Sequence, residues 1–258
     1  MRQGMQTQIA WPRPGKAVIG LIVSIIGFYV LQLLLLRAGQ AWVRDLYLSP
    51  AAVIEKLYVW QVLTRLWMHQ PDAPFHMIFN LLWWWMFGTQ LEKWWGVRRF
   101  LIAYVIFGLS GAALILIVGL LSLTAPFRPL LGSFWTTTHL GASSAVIGIT
   151  VAWGLTYANQ EMHFLFLGKM KGKTFVLIVV AIELLMALSF SPVSSAGHFG
   201  GIIGAFVLCR GLWKPSKWKQ AVKRRRLDKQ RKKIESELRV IEGGRRGDDP
   251  PTDPSKWN

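Results

Sequence analysis

Six apolar stretches, at 17–36, 75–91, 100–123, 141–157, 174–190 and 197–212, dominate this chain of 258 residues. Runs of about 17–25 apolar residues match the ~30 Å of hydrocarbon in a bilayer, although several here lie near the lower limit and the last just below it. Lipid offers no hydrogen-bonding partner to the backbone, so segments like these cross it as α-helices. The expectation is an all-α polytopic membrane protein with six transmembrane helices. Composition agrees: 52% of residues are hydrophobic, mean hydropathy is +0.34 and there are 14 Trp.

Lys and Arg orient the helices. With the N-terminus inside, the inner segments carry 25 of the 30 basic residues, including Arg2, Lys93, Arg98, Arg99, Lys169, Lys171 and Lys173. The outer segments carry only Arg37, Arg44, Lys56, Arg65 and Arg128. This satisfies the positive-inside rule and predicts an integral protein, in a bacterial inner membrane, with both termini cytoplasmic. A signal peptide is the competing reading of 17–36. Twenty apolar residues exceed a usual signal core, and Arg37 follows without a small-residue cleavage site.

Polar residues interrupt the spans at telling places. His76 and Asn80 open the second, Ser143 the fourth and His198 the sixth, and all three spans enter from the outer face. An ionisable side chain inside a membrane is costly enough to make it a functional candidate. Each of His76, Ser143 and His198 is expected within the first turn of its helix, at one common level. Gly197, Gly201 and Ala205 recur every four residues, as do Gly200 and Gly204, while Gly141, Ala142 and Ala145 open the fourth span. Such small residues allow close helix packing.

A serine hydroxyl becomes a useful nucleophile when a nearby histidine takes its proton, so Ser143 and His198 form the best pair. No carboxylate falls at their level in spans two, four or six, which leaves a dyad without an acidic partner. At a helix N-terminus, Ser143 also adjoins unpaired N–H groups that can stabilise an oxyanion. His76 and Asn80, four residues apart, share a helix face and can add donors.

These elements resemble the rhomboid family of intramembrane serine proteases. The resemblance covers roughly residues 60–205 and rests on His76-x-x-x-Asn80, Gly141-x-Ser143 and Gly197-His198-x-x-Gly201, in the family's order, with Trp83-Trp84-Trp85, Gly88 and Glu92 continuing the second helix. It implies Ser143 as nucleophile, His198 as base, and His76, Asn80 and the Ser143 N–H as oxyanion hole. The implied reaction is hydrolysis of a peptide bond in or beside a substrate's transmembrane helix, in a six-helix rhomboid-like bundle reached by water from outside. Three positions depart from the family. Ser144 stands where Gly is usual, Ile147 where an aromatic residue packs on the histidine, and Trp60-Gln61 where the family has Trp-Arg, leaving any cation there to Arg65. With Ile147, orientation of the base is expected to rest on packing alone.

The remaining polar residues read as structural. His69 positions the outer loop, His139 is a loop histidine without held geometry, and His163 is cytoplasmic. Glu183, in the middle of span five, is expected to be protonated or to face the bundle interior, hydrogen-bonding a neighbouring helix, outside the active site. The lone Cys209 excludes a disulfide framework. The absence of His-Glu-x-x-His and of paired intramembrane aspartates argues against zinc-dependent and aspartyl proteases, so no metal or cofactor is expected.

The chain divides into a short N-terminus (1–16), the membrane domain (17–212) and a basic tail (213–258). Leu227, Ile234, Leu238 and Ile241 predict a helix over 217–242, followed by disorder beyond Gly247. Lys223-Arg224-Arg225-Arg226 suits anionic lipid headgroups better than nucleic acid. The outer loop at 37–74, rich in Trp and Tyr, is expected in the membrane interface. The function read from the sequence is an intramembrane serine endopeptidase acting on transmembrane protein substrates. The rivals are an inactive relative that binds transmembrane clients and a transporter using Glu183, the latter disfavoured by the lack of an inverted repeat.

Overall fold

The computed structural model describes residues 13–164, 168–189 and 192–210, together with 227–228, 230–231 and 234–235. The fold is mostly helical. Helix α1 (Lys16–Arg37) is followed by an outer segment holding a 3-10 turn (Ala41–Leu46) and the short helices α2 (Pro50–Glu55) and α3 (Gln61–Thr64). Next come α4 (Pro74–Trp83), a π-helical turn (Trp84–Gly88), α5 (Thr89–Trp95) and the long α6 (Val97–Ser122). After α7 (Arg128–Leu131), α8 (Ser143–Thr156) leads to an antiparallel hairpin of β1 (Glu161–Phe164) and β2 (Gly168–Lys171). Helices α9 (Gly172–Ser189) and α10 (Pro192–Arg210) complete this unit, which is distinct from a second unit, Gly211–Asn258.

Among the described residues, α1 and α6 are long and apolar enough to cross a membrane by length and composition, and α8 is a shorter apolar helix. The hairpin is a small departure from an all-α fold. The second predicted span is one helical path broken in register by the π turn, which hydrophobic periodicity does not distinguish from α-helix. The sixth begins at Pro192, five residues before the expected start. Pro suits a first helical turn, where its missing N–H is no loss, and so carries the helix beyond the apolar run. In the tail, the described residues are helical, with Arg231 Nε 3.0 Å from Glu235 Oε1. The rest of the predicted tail helix and the predicted disorder lie outside the described residues.

Helix α10 packs chiefly on α6 and α8. Glycine makes this possible. A methyl at Gly200 would sit 2.6 Å from Gly111 Cα of α6, and one at Gly201 would overlap the Ser144 carbonyl of α8. Ala205 is fully buried, whereas Gly197 faces Ile115 more loosely. Below this contact lies an aromatic core in which Trp84 meets Phe100 and Tyr104 edge-on and Phe87 meets Trp153. On the opposite faces, Val23, Leu34, Ile117, Leu177 and Leu185 are exposed, the pattern of helices solvated by hydrocarbon.

Buried polar groups stitch the helix ends. Glu92 accepts hydrogen bonds from Ala17 N and Val18 N, both 2.9 Å, placing a carboxylate at the positive end of α1. Gln32 of α1 donates to the His69 carbonyl and accepts from the His69 N–H, fixing the outer segment.

Candidate active site

Ser143 is the first residue of α8, where helix geometry leaves its N–H without an intrahelical acceptor. The approach to it depends on Gly141. At φ +110° this residue adopts a backbone conformation that favours glycine, and its N–H donates to the Arg65 carbonyl at 3.0 Å. A methyl on Gly141 would lie 3.1 Å from His76 Cε1 and 3.8 Å from Ser143 Oγ, so the imidazole and the hydroxyl flank the same turn. Gly141 is therefore a turn residue at the site and not the helix-packing residue expected from sequence.

On α4, Asn80 Nδ2 is 3.5 Å from His76 Nε2, as their four-residue spacing requires. Asn80 is buried, while Ser143, His76 and His198 are all partly exposed. The hydroxyl and both imidazoles are thus accessible in a fold otherwise packed with apolar side chains.

His198 is the seventh residue of α10 and lies in its second turn, not the first. The earlier start at Pro192 accounts for the difference. It precedes Gly201 by three residues, on a similar face of α10, and Gly201 rests against the Ser144 backbone. The histidine therefore leaves α10 one turn outward of that contact, toward the mouth where α8 begins. It also lies within electrostatic range of His76.

The structure corrects the expectation that His198 has no acidic partner. Glu183 Oε2 of α9 lies 2.8 Å from His198 Nδ1, with side chains 7% and 17% exposed. As expected, Glu183 bonds a neighbouring helix, but the partner is the candidate base itself. Counting depth from outer helix ends hid the pair. Counted from inner ends, Glu183 is ~17 Å along α9 from Gly172 and His198 ~18 Å along α10 from Arg210, at 1.5 Å per residue. Orientation of His198 thus rests on a hydrogen bond and not on packing alone.

Two other departures from the family pattern prove to be linked. Ser144 faces α6, where a methyl on Gly111 would lie 2.8 Å from its hydroxyl oxygen. That hydroxyl accepts a 2.7 Å hydrogen bond from Arg65 Nη2, which also donates to the Gly108 carbonyl at 3.1 Å. Burial lowers Arg65 to about 10, leaving it charged at neutral pH, and its Nε has no partner among the described residues. Arg65 grips both ends of the turn that carries Ser143, Gly141 by backbone and Ser144 by side chain. Gln61 braces the outer segment without a charge, accepting from Ser49 N and donating to the Asp45 carbonyl.

His69 is fully buried, 5.9 Å from the His76 ring, and burial with the neighbouring His76 pushes it down to about 4. His139 differs from expectation, because a two-way backbone bridge to Leu48 holds it and its ring packs on Phe134. His163 lies in β1, remote in sequence from these elements. Among the described residues no cluster of His, Cys, Asp or Glu has the makings of a metal site.

Ser143, His76, Asn80 and His198 thus lie on three helices of a glycine-packed apolar fold, three of them partly exposed. The Rhomboid domain family matches residues 56–215, and the chain belongs to that family. It is 29% identical over 161 residues to the rhomboid protease GluP of Bacillus subtilis, covering 60% of this chain and 26% of GluP. It is 26% identical over 144 residues to the rhomboid protease GlpG of Yersinia pestis, covering 55% of this chain and 49% of GlpG. The match thus spans about a quarter of the first relative and half of the second.

Proposed function

We propose that this chain is an intramembrane serine endopeptidase that hydrolyses peptide bonds in or next to transmembrane helices of its substrates. The observation that carries the reading is Ser143 at the first position of α8, partly exposed, with His76 against the same turn. Family membership and the two relatives named rhomboid protease support it.

In this reading six helices cross the bacterial inner membrane with both termini cytoplasmic, and the basic tail meets anionic headgroups. His198 takes the Ser143 proton as Oγ attacks the scissile carbonyl. The resulting oxyanion is met by the Ser143 N–H and by side-chain donors from His76 and Asn80. His198 then protonates the departing amine, and water repeats the sequence on the acyl-enzyme.

The test uses the purified full chain in detergent or liposomes with a reporter bearing one transmembrane helix. Cleavage within or beside that helix, lost in Ser143→Ala and His198→Ala while both variants stay folded, supports the assignment. Binding of the reporter without cleavage by the unaltered chain would favour the inactive client-binding relative.

A further inference from the structure

The proposed mechanism gives no task to Glu183, yet it lies 2.8 Å from the base and is almost wholly buried. We propose that Glu183 is a positioning residue that makes the site a Ser143–His198–Glu183 triad, an inference that rests on the serine-protease reading above.

An ionised carboxylate only accepts hydrogen bonds, so a neutral imidazole facing it through Nδ1 must carry its proton there. That leaves the lone pair on Nε2, the nitrogen free to take a proton from Ser143. A group that donates to Nδ1 would select the opposite tautomer, with hydrogen on Nε2 and no basic nitrogen toward the serine. Glu183 therefore fixes which nitrogen is the base as well as the plane of the ring.

The carboxylate also follows the charge through the reaction. As the Ser143 O–H proton moves to Nε2 and the Oγ–C bond forms, the carbonyl π pair becomes the oxyanion and the imidazole becomes a cation. The Glu183 carboxylate faces that cation without itself taking the proton. When Nε2 protonates the leaving nitrogen, the C–N bond breaks, the carbonyl re-forms and the imidazole returns to neutral. Placement favours this role. Glu183 and His198 sit on consecutive helices at matching depth with the carboxylate almost wholly buried, where its contact with the imidazole is screened little.

The experiment compares Glu183→Gln, Glu183→Ala and Glu183→Asp in the full chain. It measures kcat and KM on the transmembrane reporter, the rate of fluorophosphonate labelling, and Tm. Gln preserves volume, but its amide can donate to Nδ1 and impose the unproductive tautomer. Ala leaves room for a water that can accept from Nδ1. The triad predicts kcat in the order Asp, then Ala, then Gln. Gln should fall by up to about 10⁴-fold, the loss seen when a triad aspartate becomes an amide, with KM and Tm near those of the unaltered chain and labelling slowed in parallel. A purely structural role predicts Gln as the best substitute and Ala as the worst.

Glu183→Gln that retains full kcat, or that surpasses Ala, overturns the proposal. If Gln fails to fold, Asp decides: at least a tenth of the original kcat supports the triad, and a folded but inactive Asp variant refutes it. Failure of the unaltered chain to label at all would instead sink the serine-protease reading on which the triad depends.

Discussion

Gly201 provides a steric test of how the site is assembled. A methyl at this position would overlap the Ser144 carbonyl oxygen and lie 2.9 Å from the carbonyl carbon and 3.4 Å from Gly148 N. These are backbone atoms and cannot rotate away. Ordinary contacts to carbon need ~3.5 Å or more, so Gly201→Ala must push α10 from α8 by on the order of 1 Å. His198 rides on α10 and Ser143 on α8, so the displacement enters the distance between them directly. A misplacement of ~1 Å costs about 10²-fold in rate where catalysis depends on alignment, and overpacking costs about 1–3 kcal/mol in stability. The assay is kcat on a transmembrane reporter, with Tm measured in parallel. Gly204→Ala should be milder, because its nearest neighbour is the Ser110 hydroxyl at 2.7 Å, a side chain able to turn aside. Gly20→Ala, with nothing within 4 Å, should leave kcat unchanged. A folded Gly201→Ala variant with kcat within twofold of the original would refute the claim that this contact sets the geometry of base and nucleophile.

Other perturbations reach different parts of the site. Ser144→Gly removes the acceptor 2.7 Å from Arg65 Nη2, so thermal or denaturant unfolding should reveal a loss of about 1–3 kcal/mol while serine-probe labelling persists. His69 is held at about 4 when folded, against ~6.5 when unfolded, so below pH 6.5 the unfolded chain binds more protons. Stability should be full above pH ~6.5 and decline as the pH falls toward 4, by roughly 3 kcal/mol, and His69→Phe should flatten that slope in a Tm-against-pH series. His76→Ala and Asn80→Ala should each lower kcat by about 10–10³-fold with little change in KM, since oxyanion contacts strengthen as charge develops. Unchanged kcat in both variants would remove them from the oxyanion hole.

Local features of this fold were legible where one stretch of sequence determines them. The apolar run ending at Arg37 marks α1, and the four-residue spacing of His76 and Asn80 puts their side chains 3.5 Å apart on α4. What escaped depends on relations between distant segments or on backbone detail. Pro192 starts α10 outside its apolar run, and that shift moved His198 a turn deeper than expected. The π turn at Trp84–Gly88 leaves hydrophobicity unchanged while resetting the register. Arg65 and Ser144 are 79 residues apart, and nothing in either neighbourhood announces their hydrogen bond. Glu183 was recognised as a costly intramembrane carboxylate facing inward, but its partner depends on how α9 and α10 align.

Every role proposed for the site depends on which serine reacts. Consecutive helical residues point about 100° apart, and Ser144 is fully buried against α6 and Arg65, while Ser143 is partly exposed beside His76. A fluorophosphonate reacted with the full chain in membranes, followed by mass spectrometry of the adduct, identifies the nucleophile. A single adduct on Ser143 is expected, abolished by Ser143→Ala and retained in Ser144→Ala. An adduct on Ser144, or labelling that survives Ser143→Ala, would contradict it.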